Sequence, residues 1–235
     1  DRTTHQPMWT KSLLSDYGVK QPGWGVVQAP SLYKDMVIVA PQAPDAFVAA
    51  FKKDTGEVVW RSPSLGLLGY STPVVATLCG VDQVLMVGAC AKGGDNPGKV
   101  AGLSPADGSV LWSYDGFQCS IPIPYPAVLP GDRLFITGGY GAGSALIQVR
   151  RDGDNWAVTE VFKTDACGSQ IQQPLLFKDH LYVNSNSNER EDGMMCLTLD
   201  GQVKWKTGGS WSSTTFERGP LLLVDGMIVV LDGKK

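Results

Sequence analysis

Seven polar residues sit one or two positions ahead of a repeated proline: Gln28, Ser71, Thr72, Tyr125, Gln172, Gln173 and Arg218. The prolines are Pro30, Pro73, Pro126, Pro174 and Pro220. Amides, hydroxyls, a phenol and a guanidinium can together hold a small polar ligand or ordered water, but they contain no paired nucleophile and base. A wet channel wall needs the same residue types, so an architectural reading stands beside the ligand reading.

The other reactive side chains are scattered. The two histidines, His5 and His180, come with no partner pattern for a nucleophilic triad. Five cysteines form no Cys-x-x-Cys pair. Cys119 and Cys167 each stand seven residues before their prolines, so a disulfide between neighbouring loops is one reading, provided the Cα atoms come within about 7 Å. Cys196 reads as the counterpart of Phe51 and Leu103, hence a buried, inert thiol. The oxygen-rich run 184–193 lacks the spacing of a calcium-binding helix–loop–helix. The glycines of 138–143 lie between two strand-like runs, with no helix N-terminus to take a phosphate. No metal site is expected.

The elements that must position these residues are repeated hairpins. After each proline comes an apolar run, a tight polar turn and a second apolar run, as in Pro174-Leu175-Leu176-Phe177-Lys178-Asp179-His180-Leu181-Tyr182-Val183. A second hairpin follows, with a glycine turn and then an aromatic residue: Gly56 leads to Trp60, Gly108 to Trp112 and Gly201 to Trp205, with Phe162 in the degenerate copy after Gly153. Two hairpins make four strands, and repeats 43–53 residues apart predict a β-propeller of four-stranded antiparallel blades. The expected blades are approximately 24–62, 68–114, 120–164, 169–207 and a partial 214–235, with 7–11 as a closing strand. Together they form one incomplete domain, about five blades or partial blades of a seven- or eight-bladed parent.

Of the 235 residues, 18% are charged and the net charge is −3, which argues against a general nucleic-acid binder. No apolar run is long enough to span a membrane as a helix, and the start at Asp1-Arg2-Thr3 is not a signal peptide.

The glycine-to-tryptophan endings and proline-led hairpins, from Trp24 to Leu231, resemble the pyrroloquinoline-quinone-like (quinoprotein-type) β-propeller repeat family, in its exported bacterial members. The resemblance implies that Trp60, Trp112, Phe162 and Trp205 dock one blade on the next. It also implies export to the periplasm or cell exterior. Quinoprotein alcohol dehydrogenases of this family use two adjacent bridged cysteines and a calcium set of Glu, Asn and Asp. The chain has no Cys-Cys pair, and that calcium set finds no residue-by-residue match. Nor does the chain carry the lipid-attached N-terminal cysteine of the family's barrel-assembly lipoprotein.

The expected function is a non-catalytic binding or scaffolding module with no cofactor. Its partner is another protein or complex subunit, or a glycan or small polar ligand, docked on Trp24, Tyr70, Phe117 and Trp211 in the loops that enter the blades. The alternative is a quinoprotein-type dehydrogenase, or a fragment of one, oxidising an alcohol or sugar with pyrroloquinoline quinone and calcium.

Overall fold

Each repeated proline stands immediately before a strand, the place where a fixed φ and a missing N–H cost a sheet least. The computed structural model describes residues 3–91, 96–187, 190–208 and 218–231. These residues form four four-stranded antiparallel meanders and one two-stranded hairpin, with no helix. Blade 1 comprises β1 (Ser31–Tyr33), β2 (Met36–Val39), β3 (Ala49–Lys52) and β4 (Val58–Arg61). Blade 2 comprises β5 (Val74–Leu78), β6 (Val81–Val87), β7 (Val100–Leu103) and β8 (Val110–Tyr114). Blade 3 comprises β9 (Ala127–Leu129), β10 (Arg133–Gly138), β11 (Gly143–Asp152) and β12 (Asn155–Thr164). Blade 4 comprises β13 (Leu175–Phe177), β14 (His180–Ser187), β15 (Arg190–Thr198) and β16 (Val203–Lys206), and β17 (Leu221–Val224) and β18 (Met227–Val230) complete the order. The fold is all-β and propeller-like. Residues 7–11 pair with no strand among the described residues.

Each blade is bent at one repeated point. The register between its third and fourth strands shifts after Ala50, Gly102, Leu146 and Cys196, whose ladder partners are Trp60, Trp112, Phe162 and Trp205. A bulge adds twist and re-aims side chains, and in blades 1 and 3 the ring opposite it, Trp60 or Phe162, reaches the next blade. Cys196 is therefore the counterpart of Ala50 and Gly102, one position away from the Phe51 and Leu103 alignment suggested by sequence. The bulge introduces an offset that counting cannot see.

The aromatic rings show what the bulge is for. Trp60 reaches blade 2, where its Nε1–H donates to the carbonyl of Pro105 at 2.9 Å and its ring covers Gly108. Gly108 has φ +73°, and a Cβ there would lie 2.5 Å from Trp60 Cε3. Only glycine satisfies both the backbone and the ring. Trp9 repeats this arrangement on blade 1, donating to Lys53 O at 2.8 Å and lying over Gly56. Phe162 lies over Gly201 of blade 4. The apolar cores follow the same logic, since each cluster is shared by two consecutive blades. Ile38, Phe47 and Trp60 of blade 1, for example, pack with Met86 and Leu103 of blade 2.

Candidate functional site: an aromatic cleft

The segments that enter the first strands of blades 1 to 4, joined by the β10–β11 turn, wall a cleft of about 700 Å³. Trp24 and Val27 precede β1, Tyr70 and Thr72 precede β5, and Ile123 and Tyr125 precede β9. The run Gln170–Gln173 precedes β13, and Tyr140 sits on the β10–β11 turn. Trp24 is 63% exposed and meets Tyr70 edge-on at 5.4 Å. Among the described residues, none that lines the cleft is charged.

The polar residues ahead of the prolines spend much of their bonding capacity on neighbouring blades. Gln28 Nε2 donates to Gly69 O at 3.2 Å, and Thr72 Oγ1 accepts from Ala29 N at 3.1 Å. Ser71 Oγ donates to Pro124 O at 3.5 Å. Turned to satisfy both its atoms, the Gln173 amide donates to Tyr125 O and accepts from Tyr125 N, both at 2.8 Å. Gln172 Nε2 donates to Arg218 O at 2.8 Å, so Arg218 enters the ring through its carbonyl. These bonds stitch consecutive entry segments together and hold the cleft open as a rigid wall. Thr72, Tyr125, Gln172 and Gln173 also face the cleft.

One cleft atom is left unmatched. Gln170 is 6% exposed, and its Nε2 donates to Tyr140 Oη at 3.0 Å. Its Oε1 is buried with no hydrogen-bond partner. A buried acceptor without a donor costs roughly 1–3 kcal/mol, and a bound N–H or O–H would recover it. Neither residue of this pair stands out in the sequence. Gln170 lies four positions before its proline, and Tyr140 sits in the glycine-rich turn 138–143.

Several expectations change at this point. Phe117 is 1% exposed and buried between blades 2 and 3, so it is core and not partner surface. Trp211 lies outside the described residues. Cys119 and Cys167 form no disulfide and pack in different inter-blade clusters, and Cys167 Sγ donates to Ser144 Oγ at 3.3 Å. Equivalent points on adjacent blades are separated by the blade-to-blade step, which defeats the bridge. Trp112 is buried, but its Nε1–H donates to Gln83 Oε1 of its own blade at 2.6 Å. In blade 3 the β11–β12 ladder runs out to Asp152↔Asn155, and a Cβ on Gly153 at its tip would meet nothing within 4 Å. Trp205 is 45% exposed, beside Tyr182 at 5.9 Å and facing Ile228 and Val230 of the last hairpin.

Burial pushes the Cys119 thiol up to about 12 and also raises Cys79, Cys90 and Cys196, so none of these four thiols is poised as a nucleophile. No three His, Cys, Asp or Glu side chains gather as metal ligands among the described residues. His180 Nδ1 lies 2.8 Å from Lys178 O, within its own turn.

A family model described as outer membrane protein assembly factor BamB matches residues 1–207. The chain belongs to this family. The resemblance to the pyrroloquinoline-quinone-like propeller repeat, read from the tryptophans and prolines, holds. Two solved structures are similar to this BamB-family chain. BamB from Moraxella catarrhalis is 14% identical, with a TM-score of 0.45 over 77% of this chain and 53% of that one. Quinohemoprotein alcohol dehydrogenase from Comamonas testosteroni is 15% identical, with a TM-score of 0.49 over 87% of this chain and 39% of that one. The chain thus spans about half the length of the first and two fifths of the second. No curated protein matches it.

Proposed function

We propose that this propeller is a non-catalytic binding module of an exported protein assembly, and that the cleft is where a segment of another protein docks. The observation that carries the reading is the composition of the cleft: exposed Trp24 and Val27, the Tyr70, Tyr125 and Tyr140 rings, uncharged amides, and, among the described residues, no nucleophile, base or metal-ligand cluster beside them. Aromatic anchors on a rigid frame gain contact area at little entropic cost, and a backbone N–H of the partner would satisfy Gln170 Oε1. The family's description as an assembly factor for outer membrane proteins supports a periplasmic setting and an outer-membrane assembly subunit as partner. No helix among the described residues is long and apolar enough to cross a membrane.

The dehydrogenase reading fits the cleft poorly. An anionic quinone and a calcium ion both need charged partners, and the described lining residues offer none.

Calorimetric titration with the purified periplasmic portion of an outer-membrane assembly subunit tests the proposal. Saturable binding is expected. Trp24→Ala should weaken it at least ~30-fold, the loss of one hot-spot anchor, and Trp205→Ala should leave it unchanged. Binding that ignores Trp24→Ala would overturn the docking site. Alcohol-dependent dye reduction after adding pyrroloquinoline quinone and calcium would overturn the non-catalytic reading.

A further inference from the structure

Cys90 and Cys119 belong to different parts of the chain yet share a backbone hydrogen bond. The Cys90 N–H donates to the Cys119 carbonyl at 3.0 Å. Adding the N–Cα bond and the carbonyl-oxygen-to-Cα span bounds the Cα separation at about 6.9 Å, and any bend in that path shortens it. Disulfides accept Cα separations up to about 7 Å. The two thiols are also near enough that a charge on Cys90 raises the pKa of Cys119. Cys119 and Cys167, the pair suggested by their equivalent positions, sit in separate clusters.

The setting of the pair is well defined. Cys90 lies just past β6, where the strand is prolonged by the Leu67↔Ala89 bridge, and it is half-buried. Cys119 is 2% exposed, and its Sγ fills the space that a side chain on Gly138 would occupy. It sits in the β8–β9 connection, which goes on to supply Ile123 and Tyr125 to the cleft. A covalent bond here would fasten that wall of the cleft to blade 2.

We infer that Cys90 and Cys119 are a disulfide site whose reduced form the structure describes, and that oxidation by a small-molecule disulfide joins them. The Cys90 thiol, the more exposed of the two, gives up its proton to water. Its thiolate attacks one sulfur of the reagent, whose S–S bond breaks and releases one thiolate, leaving a mixed disulfide on Cys90. Cys119 then loses its proton and attacks the Cys90 sulfur, expelling the second half of the reagent as a thiolate. Two protein thiols are oxidised to one disulfide, and one reagent disulfide is reduced to two thiols. The high pKa of Cys119 makes the second step the slow one.

The test is incubation of the folded chain with oxidised glutathione, followed by intact mass and non-reducing peptide mapping. The expected result is loss of two hydrogens, a cross-linked peptide joining Cys90 to Cys119, and a melting midpoint ~6–12 °C above the reduced form. Cys90→Ser should abolish both the cross-link and the shift, and Cys167→Ser should preserve both. Cys119→Ser tests the buried partner, and the wild-type peptide map decides if that variant does not fold. A persistent glutathione adduct on Cys90, a Cys119–Cys167 link, or no link in the folded chain would each overturn the assignment.

Discussion

Trp60 and Trp205 occupy the same ladder position in blades 1 and 4, opposite the residue before the bulge, yet their surroundings differ sharply. Trp60 is 6% exposed, seated on Gly108 and bonded to Pro105 O. Trp205 faces a shallow hollow of about 340 Å³ with Phe177, Tyr182 and the β17–β18 hairpin. Trp112 falls between them: it is buried, but held by Gln83 of its own blade. The blade 2–3 seam is instead closed by Lys163 Nζ donating to Gly116 O at 2.6 Å and by the Tyr114 hydroxyl donating to Glu160. The comparison teaches that the bulge only aims the ring. The glycine turn of the following blade decides what the ring is worth.

The largest effect should come from removing a seated ring. Trp60→Ala leaves a cavity and an unpaired carbonyl, and should lower unfolding free energy by about 3–5 kcal/mol in urea titrations. Trp205→Ala should cost under about 1 kcal/mol, as an exposed substitution does. Equal losses would remove the distinction between the two sites.

The turns sharpen the same point. Gly108→Ala puts a methyl into the Trp60 ring at a positive φ, and should cost about 2–4 kcal/mol. Gly153→Ala, also at positive φ but with open space around it, should cost only about 1 kcal/mol. Gln83→Leu strands the Trp112 N–H, and should cost about 1–3 kcal/mol if that bond replaces the missing inter-blade one.

The blade 2–3 seam also carries a pH dependence. The folded protein holds the Cys119 proton more tightly than the unfolded chain, whose thiol titrates near the ordinary value of 9.0. Stability from this group is therefore complete below about pH 9. It should fall by about 1.4 kcal/mol per pH unit between there and about pH 12. Tyr114 is raised in the same direction, by burial first and by Glu160 second. Cys119→Ala should flatten part of the alkaline limb of a stability–pH profile.

Much of the scaffold is legible in the residues themselves. Proline locks φ ahead of each first strand, and turns such as Lys178-Asp179 and Asp225-Gly226 take the positive φ values of tight hairpins. Both are local constraints, so their spacing translates directly into strands. The candidate site was only half legible. Trp24 and Tyr70 could be singled out as loop aromatics, but Phe117, of the same type and a similar setting, is buried. Burial there depends on which blade covers the ring. Gln170 looked unremarkable because its significance is an unmatched oxygen, which no residue type announces.

Taken alone, the chain of amino acids determined that this is an all-β repeat of proline-led, glycine-turned hairpins, because φ preferences and side-chain alternation act within a few residues. Tertiary structure decided which rings dock, which polar groups are consumed as stitches, which thiols meet and where the cleft lies. Those outcomes depend on the rotation and distance between successive blades, which bring together residues some 30–50 positions apart that no short-range preference couples.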